Sequence, residues 1–238
     1  MRYQWLKQNN NNTSVIILFS GWGFDQTVFT HLMAGDDGFD VLFVQDYREL
    51  DLPMLDLQQY EKRFLIAWSF GVASFSAWII KHEQQSQHQE THDPKNSLAE
   101  FDKLIAINGT MQAVDRFLGI PNTIMQKTIE TLSQQSFAMF AKRCFIANEL
   151  PNLNINVSDK RQELEMILAR GHFAIEGWDR VWISNRDKIF PTKNLINAWQ
   201  AYNDKQEQLH RKTAELKFCD APHAPFHLWS NWNEIISS

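Results

Sequence analysis

Ala67-Trp68-Ser69-Phe70-Gly71 is the stretch on which the fold turns. It closes an apolar run, Arg63-Phe64-Leu65-Ile66-Ala67, and opens a second one over residues 70–80. A strand that passes into a helix through so tight a turn holds its central residue at positive φ and brings the two backbones together. Small residues are then required two positions to either side, which is the logic of the G-x-S-x-G nucleophile elbow. Ala67 stands where the first glycine would be, and alanine is small enough. Such an elbow exposes the Ser69 hydroxyl at the carboxyl end of a parallel sheet and at a helix N-terminus. The competing reading is a serine N-cap followed by a chance glycine.

Outward from the elbow, short apolar runs recur. Val15-Ile16-Ile17-Leu18-Phe19, Val41-Leu42-Phe43-Val44, Leu104-Ile105-Ala106-Ile107 and Val181-Trp182-Ile183 read as strands buried on both faces, and Leu216-Lys217-Phe218 as a weaker one. Helical stretches over residues 72–81, 193–202 and 226–236 lie between or after them. Residues 2–7, followed by Asn9-Asn10-Asn11-Asn12, suggest an antiparallel edge strand and its turn. Strands alternating with helices predict an α/β fold with a mostly parallel central sheet covered on both faces. Residues 114–171 lack a convincing strand and carry helical periodicity instead, with Ile124, Thr128 and Leu132 on one face and Phe137, Phe140, Leu164, Ile167 and Leu168 beyond. They are expected to form a helical lid inserted into a core made of residues 1–113 and 172–238.

A serine hydroxyl is a poor nucleophile until an imidazole takes its proton, and the imidazole needs a carboxylate to hold its tautomer and stabilise its cation. In α/β-hydrolases these partners follow in the order Ser, Asp/Glu, His, each in a loop after a strand. Asp187 comes just after Val181-Trp182-Ile183, and His223 lies in Asp220-Ala221-Pro222-His223-Ala224-Pro225 after Leu216-Lys217-Phe218. The rival histidines are His227, His172, His31 and His210. The rival acids are Asp220, close to His223 in the chain, Asp115 after the fourth strand, and Asp179, which precedes its strand and so falls at the wrong end of the sheet. A tetrahedral oxyanion needs two donors. The amide of Phe70 is one candidate, and that of Trp22, in the glycine-bearing loop Phe19-Ser20-Gly21-Trp22-Gly23, is the other. The indoles of Trp22 and Trp68 either wall the site or simply pack the core.

With 238 residues, 44% hydrophobic and 21% charged, the chain suits one large soluble domain or two small ones. Its 23 Lys+Arg against 28 Asp+Glu give a net charge of −5 and no long basic run, which argues against nucleic acid. No apolar run approaches the roughly 20 residues that span a bilayer, and the first residues do not read as a signal peptide, so a cytoplasmic monomer is expected. Two cysteines, Cys144 and Cys219, offer no disulfide framework or metal spacing. The polar segment 82–96, with His82, His88 and His92, reads as a solvated loop before it reads as a metal site. No metal or cofactor is expected.

Taken together, Phe19-Ser20-Gly21-Trp22-Gly23, the elbow, Ile107-Asn108-Gly109-Thr110 with Gly119-Ile120-Pro121, and Asp220-Ala221-Pro222-His223 resemble the BioG-type pimeloyl-[acyl-carrier protein] methyl ester esterases of biotin synthesis. The resemblance covers nearly the whole chain apart from segment 82–96. It implies an α/β-hydrolase with a helical lid and release of methanol from the methyl ester of pimeloyl-acyl-carrier protein. Carried over, it makes Ser69 the nucleophile, His223 the base and Asp187 the acid, with Trp22 and Phe70 at the oxyanion hole.

The implied partner is an acidic carrier, whereas this chain is itself net negative, so docking requires a local basic patch. Lys142-Arg143 and Lys160-Arg161, with Lys127 and Arg170 nearby, are the candidates, against the plainer reading of a solvated helix face. Two alternatives stay open: another acyl ester or thioester hydrolase of the same fold, and a catalytically inactive hydrolase fold that binds a carrier.

Overall fold

The structure, a computed structural model, describes residues 1–9, 11–34, 37–52, 57, 59–87, 101–146 and 150–237. Its centre is a seven-stranded sheet of β1 (Arg2–Lys7), β2 (Ser14–Phe19), β3 (Phe39–Gln45), β4 (Lys62–Trp68), β5 (Lys103–Ile107), β6 (Trp178–Ser184) and β7 (Glu215–Cys219). The spatial order is β1-β3-β2-β4-β5-β6-β7. Only β1 runs antiparallel to its neighbour, so the mostly parallel α/β class expected from the sequence is the class observed. The central strands earn their places by being apolar on both faces: Val15 to Phe19 and Val41 to Val44 are almost wholly inaccessible. At the open edge, β7 is harder to read from sequence because its pattern is half exposed, with Phe218 52% accessible.

The chain moves from β2 to β3 on one side, then crosses back to β4 on the other. The strand order therefore reverses between β2 and β4, and the crevice beyond their carboxyl ends is where open α/β sheets bind ligands. Both the β2–β3 crossover and the β4–β5 crossover are parallel and run in opposite directions. Right-handed connection then sets the 3-10 turn Gln26–Met33 and helix α1 (Phe70–Gln87) on opposite faces. Phe29 of the turn stacks against Trp232 of the last helix, while Phe75 of α1 packs on Phe19 and Trp178.

Helix α1 runs to Gln87, six residues beyond the expected end and into the polar segment read as a loop. Its Lys, Glu and Gln residues are good helix formers, so the polar sequence does not by itself end the helix. His88 and His92 lie outside the described residues. Helices α2 (Asn122–Glu130), α3 (Gln134–Cys144) and α4 (Val157–Arg170) lie between β5 and β6, and α5 (Thr192–Gln208) between β6 and β7. The terminal helix expected over 226–236 is interrupted. A 3-10 turn, Pro225–Leu228, is followed by extended Trp229 and then by α6 (Trp232–Ser237). The restart has a local cause: the Asn231 side chain accepts from the Glu234 amide at 3.1 Å, as an N-cap does.

Candidate active site

Ser69 sits between β4 and α1 at φ 60°, a left-handed backbone that a residue other than glycine adopts only under constraint. Its amide donates to the carbonyl of Ile107 at 2.9 Å, tying the elbow to the end of β5. The bend brings backbones together on two sides. A Cβ on Gly71 would collide with the carbonyl oxygens of Phe19 and Ser20, and one on Gly109 with the carbonyl of Ser69 itself.

His223 lies in the loop between β7 and the 3-10 turn Pro225–Leu228. Its Nε2 is 2.9 Å from Ser69 Oγ, and its Nδ1 is 2.7 Å from Asp187 Oδ2. All three side chains are nearly inaccessible, at 4% for Ser69 and 1% for His223, with none of the Asp187 side chain exposed. The other Asp187 oxygen accepts the amides of Ile189 at 2.7 Å and Phe190 at 3.0 Å. Those bonds hold the carboxylate in one orientation. The imidazole is stacked on Phe190, with centroids 5.8 Å apart and planes 8° apart, and lies 5.6 Å from Trp68. The acid and base loops are laced directly, Asn185 N–H to Cys219 C=O at 2.9 Å and Arg186 N–H to Ala221 C=O at 3.2 Å.

The loop after β2 faces this arrangement because Phe19 pairs with Ala67 in register. Phe70 begins α1, so its amide has no acceptor within the helix. The Trp22 indole is buried, donates to the Lys160 carbonyl of α4 at 3.0 Å, and meets Phe137 and Phe140 edge-on. Trp68 packs against Phe24, Phe145 and Phe226. Beside Asp187, burial and then that carboxylate's charge push the Cys144 thiol well up, so it stays protonated. Among the described residues no group of three His, Cys, Asp or Glu side chains converges as metal ligands.

The rival residues are occupied elsewhere. His31 Nε2 is 2.9 Å from the Phe226 carbonyl, His227 lies in the 3-10 turn, and His172 and His210 are exposed. Asp220 pairs with Arg186 at the surface, and Asp115 accepts the amides of Phe117 and Leu118. Asp179 is inside β6 at its amino end, one residue into the strand instead of before it, where it accepts the Leu104 amide.

The four candidate docking cations do not behave alike. Lys142 and Arg143 are exposed in the last turn of α3. Lys160 pairs with the buried Glu163 at 2.7 Å, and Arg161 donates to the carbonyls of Ile129 and Leu132 at the end of α2. Lys127 is exposed, whereas Arg170 donates to the Tyr47 carbonyl.

Sequence reasoning did not single out Asn108, Ser184, Tyr47 or Glu163 as contributors. Asn108 sits at φ 45°, fully buried, and donates from Nδ2 to the His223 carbonyl and to Ser184 Oγ. Its sequence signals are its place directly after an apolar strand and its membership of Ile107-Asn108-Gly109-Thr110, which carries the family resemblance but gives Asn108 no role.

The family described as pimeloyl-ACP methyl esterase BioG matches residues 1–219. A Bacteroides fragilis protein named malonyl-[acyl-carrier protein] O-methyltransferase is 30% identical over 196 residues, 79% of this chain. The chain spans only 36% of that relative's length. A Haemophilus influenzae protein of unassigned character is 27% identical over 194 residues, covering 78% of this chain and 81% of that one. Among solved structures, BioG from Haemophilus influenzae superposes with a TM-score of 0.75 at 23% identity over 99% of both chains. An esterase from Exiguobacterium antarcticum gives 0.62 at 13% identity, covering 93% of this chain and 87% of that one. Both likenesses show an α/β-hydrolase fold.

Proposed function

The chain belongs to the BioG family of pimeloyl-ACP methyl esterases, and from that premise we propose that it hydrolyses the methyl ester of pimeloyl-[acyl-carrier protein] to pimeloyl-[acyl-carrier protein] and methanol in biotin synthesis. The observation that carries this reading is the unbroken hydrogen-bonded chain from Ser69 Oγ through both His223 nitrogens to Asp187.

Ser69 Oγ attacks the ester carbonyl while His223 Nε2 accepts its proton, and Asp187 stabilises the imidazolium that forms. The tetrahedral oxyanion is met by the amides of Phe70 and Trp22. As it collapses, the imidazolium gives its proton to the methoxy oxygen and methanol leaves, with the pimeloyl group now esterified to Ser69. His223 then takes a proton from water. The hydroxide attacks the acyl-enzyme, and the proton returns to Ser69 as the free carboxylate departs on its carrier. Every step uses groups of this chain and water.

Residues 114–171 act as a cap over the nucleophile in this reading, and Ser69 is too buried to meet a bulky carrier directly. The ester must arrive on a thin arm, with the carrier docked outside against Lys142 and Arg143.

Two measurements test the proposal. A fluorophosphonate should label the wild type and leave Ser69→Ala unlabelled. A labelled enzyme that prefers an acyl thioester to the methyl ester would point to the thioester hydrolase instead, and a folded wild type that takes no label would point to an inactive carrier-binding protein.

A further inference from the structure

The main-chain hydrogen bonds between the acid and base loops stop at Ala221, two residues short of His223. Past that point, the His223 carbonyl is gripped from two sides, by Trp68 Nε1 at 3.0 Å and by Asn108 Nδ2 at 2.8 Å. Trp68 is the residue before the nucleophile. Asn108 also engages the end of β6, donating to Ser184 Oγ at 2.7 Å and accepting the Ser184 amide at 2.8 Å. Ser184 lies three residues before Asp187, whose own amide donates to the Ser184 carbonyl at 3.4 Å. One buried amide therefore touches the main chain of the base and the strand end from which the acid hangs.

Its backbone is held as firmly. The Asn108 amide donates to the Trp182 carbonyl at 3.0 Å, and its φ of 45° is tolerated by asparagine far better than by larger or branched residues. The next residue, Gly109, has its Cα against the Ser69 carbonyl. Asn108 thus sits where the elbow, the acid strand and the base loop converge, and its amide group is engaged on both the donor and the acceptor side.

We propose that Asn108 is a positioning residue which, by bonding the His223 carbonyl and the amide and hydroxyl of Ser184, sets the imidazole at one distance from Ser69 and Asp187 together. It touches neither substrate nor reacting atoms. The proposal rests on the serine-hydrolase reading above.

Asn108→Asp keeps the side-chain volume, removes the donor and turns a carboxylate oxygen toward the His223 carbonyl. With a short p-nitrophenyl ester at pH 8, kcat should fall about 10²-fold while KM stays within twofold, because a misplaced base spoils chemistry and not binding. Trp68→Phe keeps an aromatic ring but removes the second donor together with part of the indole's packing on Phe24, Phe145 and Phe226, for a loss of about tenfold in kcat, the scale of one hydrogen bond. It reads the same carbonyl should Asn108→Asp not fold. In proton NMR the low-field signal of the His223 Nδ1–H facing Asp187 should weaken or move in either folded variant. The loss in the double variant should be less than the product of the single losses, since both donors serve one oxygen.

A folded Asn108→Asp with kcat within twofold of wild type, or with that proton signal unmoved, overturns the proposal. So does a Trp68→Phe that matches wild type in both readouts. Fluorophosphonate labelling of the wild type is run alongside. Failure there overturns the hydrolase reading and this proposal together, whereas normal labelling with an undiminished variant overturns this proposal alone.

Discussion

At Asp187 the two carboxylate oxygens have different tasks. One faces the imidazole, and the other is fixed by the amides of Ile189 and Phe190. Asp187→Asn would keep those amide bonds and the fold while presenting an N–H to His223 Nδ1, which favours the wrong tautomer. Turnover of a small ester should drop about 10⁴-fold with KM little changed; a loss below tenfold would remove Asp187 from the chemistry. Gly71 constrains the site differently. Gly71→Ala drives a Cβ into the carbonyls of Phe19 and Ser20, and overpacking of that kind costs about 1–3 kcal/mol. Thermal unfolding should report it as a lowered midpoint, and an unchanged midpoint would mean that the elbow has slack. Ser69 and Asp187 are readable from sequence because each follows an apolar run that must be a strand, and loops at strand ends are where such groups converge; His223 follows the weaker, half-exposed β7 and is read from its proline-flanked loop. Asn108 is not readable in the same way. The string Ile107-Asn108-Gly109-Thr110 marks the family resemblance, but no role for Asn108 is visible until folding brings Ser184 and His223 to its side-chain amide, 76 and 115 residues away in the chain.

Helix α4 is tied to the loops after β2 and β3 through buried polar contacts. The Glu163 carboxylate, buried, accepts from Lys160 Nζ at 2.7 Å and from the Tyr47 amide at 3.0 Å, and the Tyr47 hydroxyl donates to the Ser20 carbonyl at 2.6 Å. Trp22, two residues on, donates to the Lys160 carbonyl. The loop after β2 is thereby held by one helix turn and by the loop after β3. Glu163→Ala would leave a buried amide without its acceptor and a half-buried ammonium without its partner, at a cost of about 2–3 kcal/mol. Glu163→Gln restores an acceptor for the amide and should cost less. Urea denaturation of the two variants measures the order, and equal midpoints would show that the amide bond contributes little. Periodicity locates α4 because Leu164 and Ile167 fall on one face, but it carries no signal for Glu163. A buried carboxylate at helical spacing is indistinguishable from a solvated one until its partners on other elements are known. The same limit explains α1, whose polar last turns carry no apolar signal, and the break before α6, which depends on a single asparagine cap.

For the molecule as a whole, charge separates general attraction from local recognition. A net charge of −5 repels an acidic carrier at long range, so any attraction must act at contact, where screening at physiological salt still leaves about 8 Å of reach. Residue types alone could not rank the four candidate cations. Lys160 is drawn into the Glu163 pair and Arg161 into the carbonyls that end α2, whereas Lys142 and Arg143 project from the last turn of α3 into solvent. Reversing both, Lys142→Glu with Arg143→Glu, should raise KM for the carrier-bound methyl ester several-fold, the sum expected of two exposed ion pairs, and leave hydrolysis of a free short-chain ester unchanged. Added salt should raise the wild-type KM for the carrier-bound ester and narrow the gap to the variant, because screening removes what the mutation removes. If both substrates suffer equally, the charges support the cap and not the carrier. If neither suffers, the carrier meets some other face, and Lys127 on α2 becomes the exposed cation to reverse next.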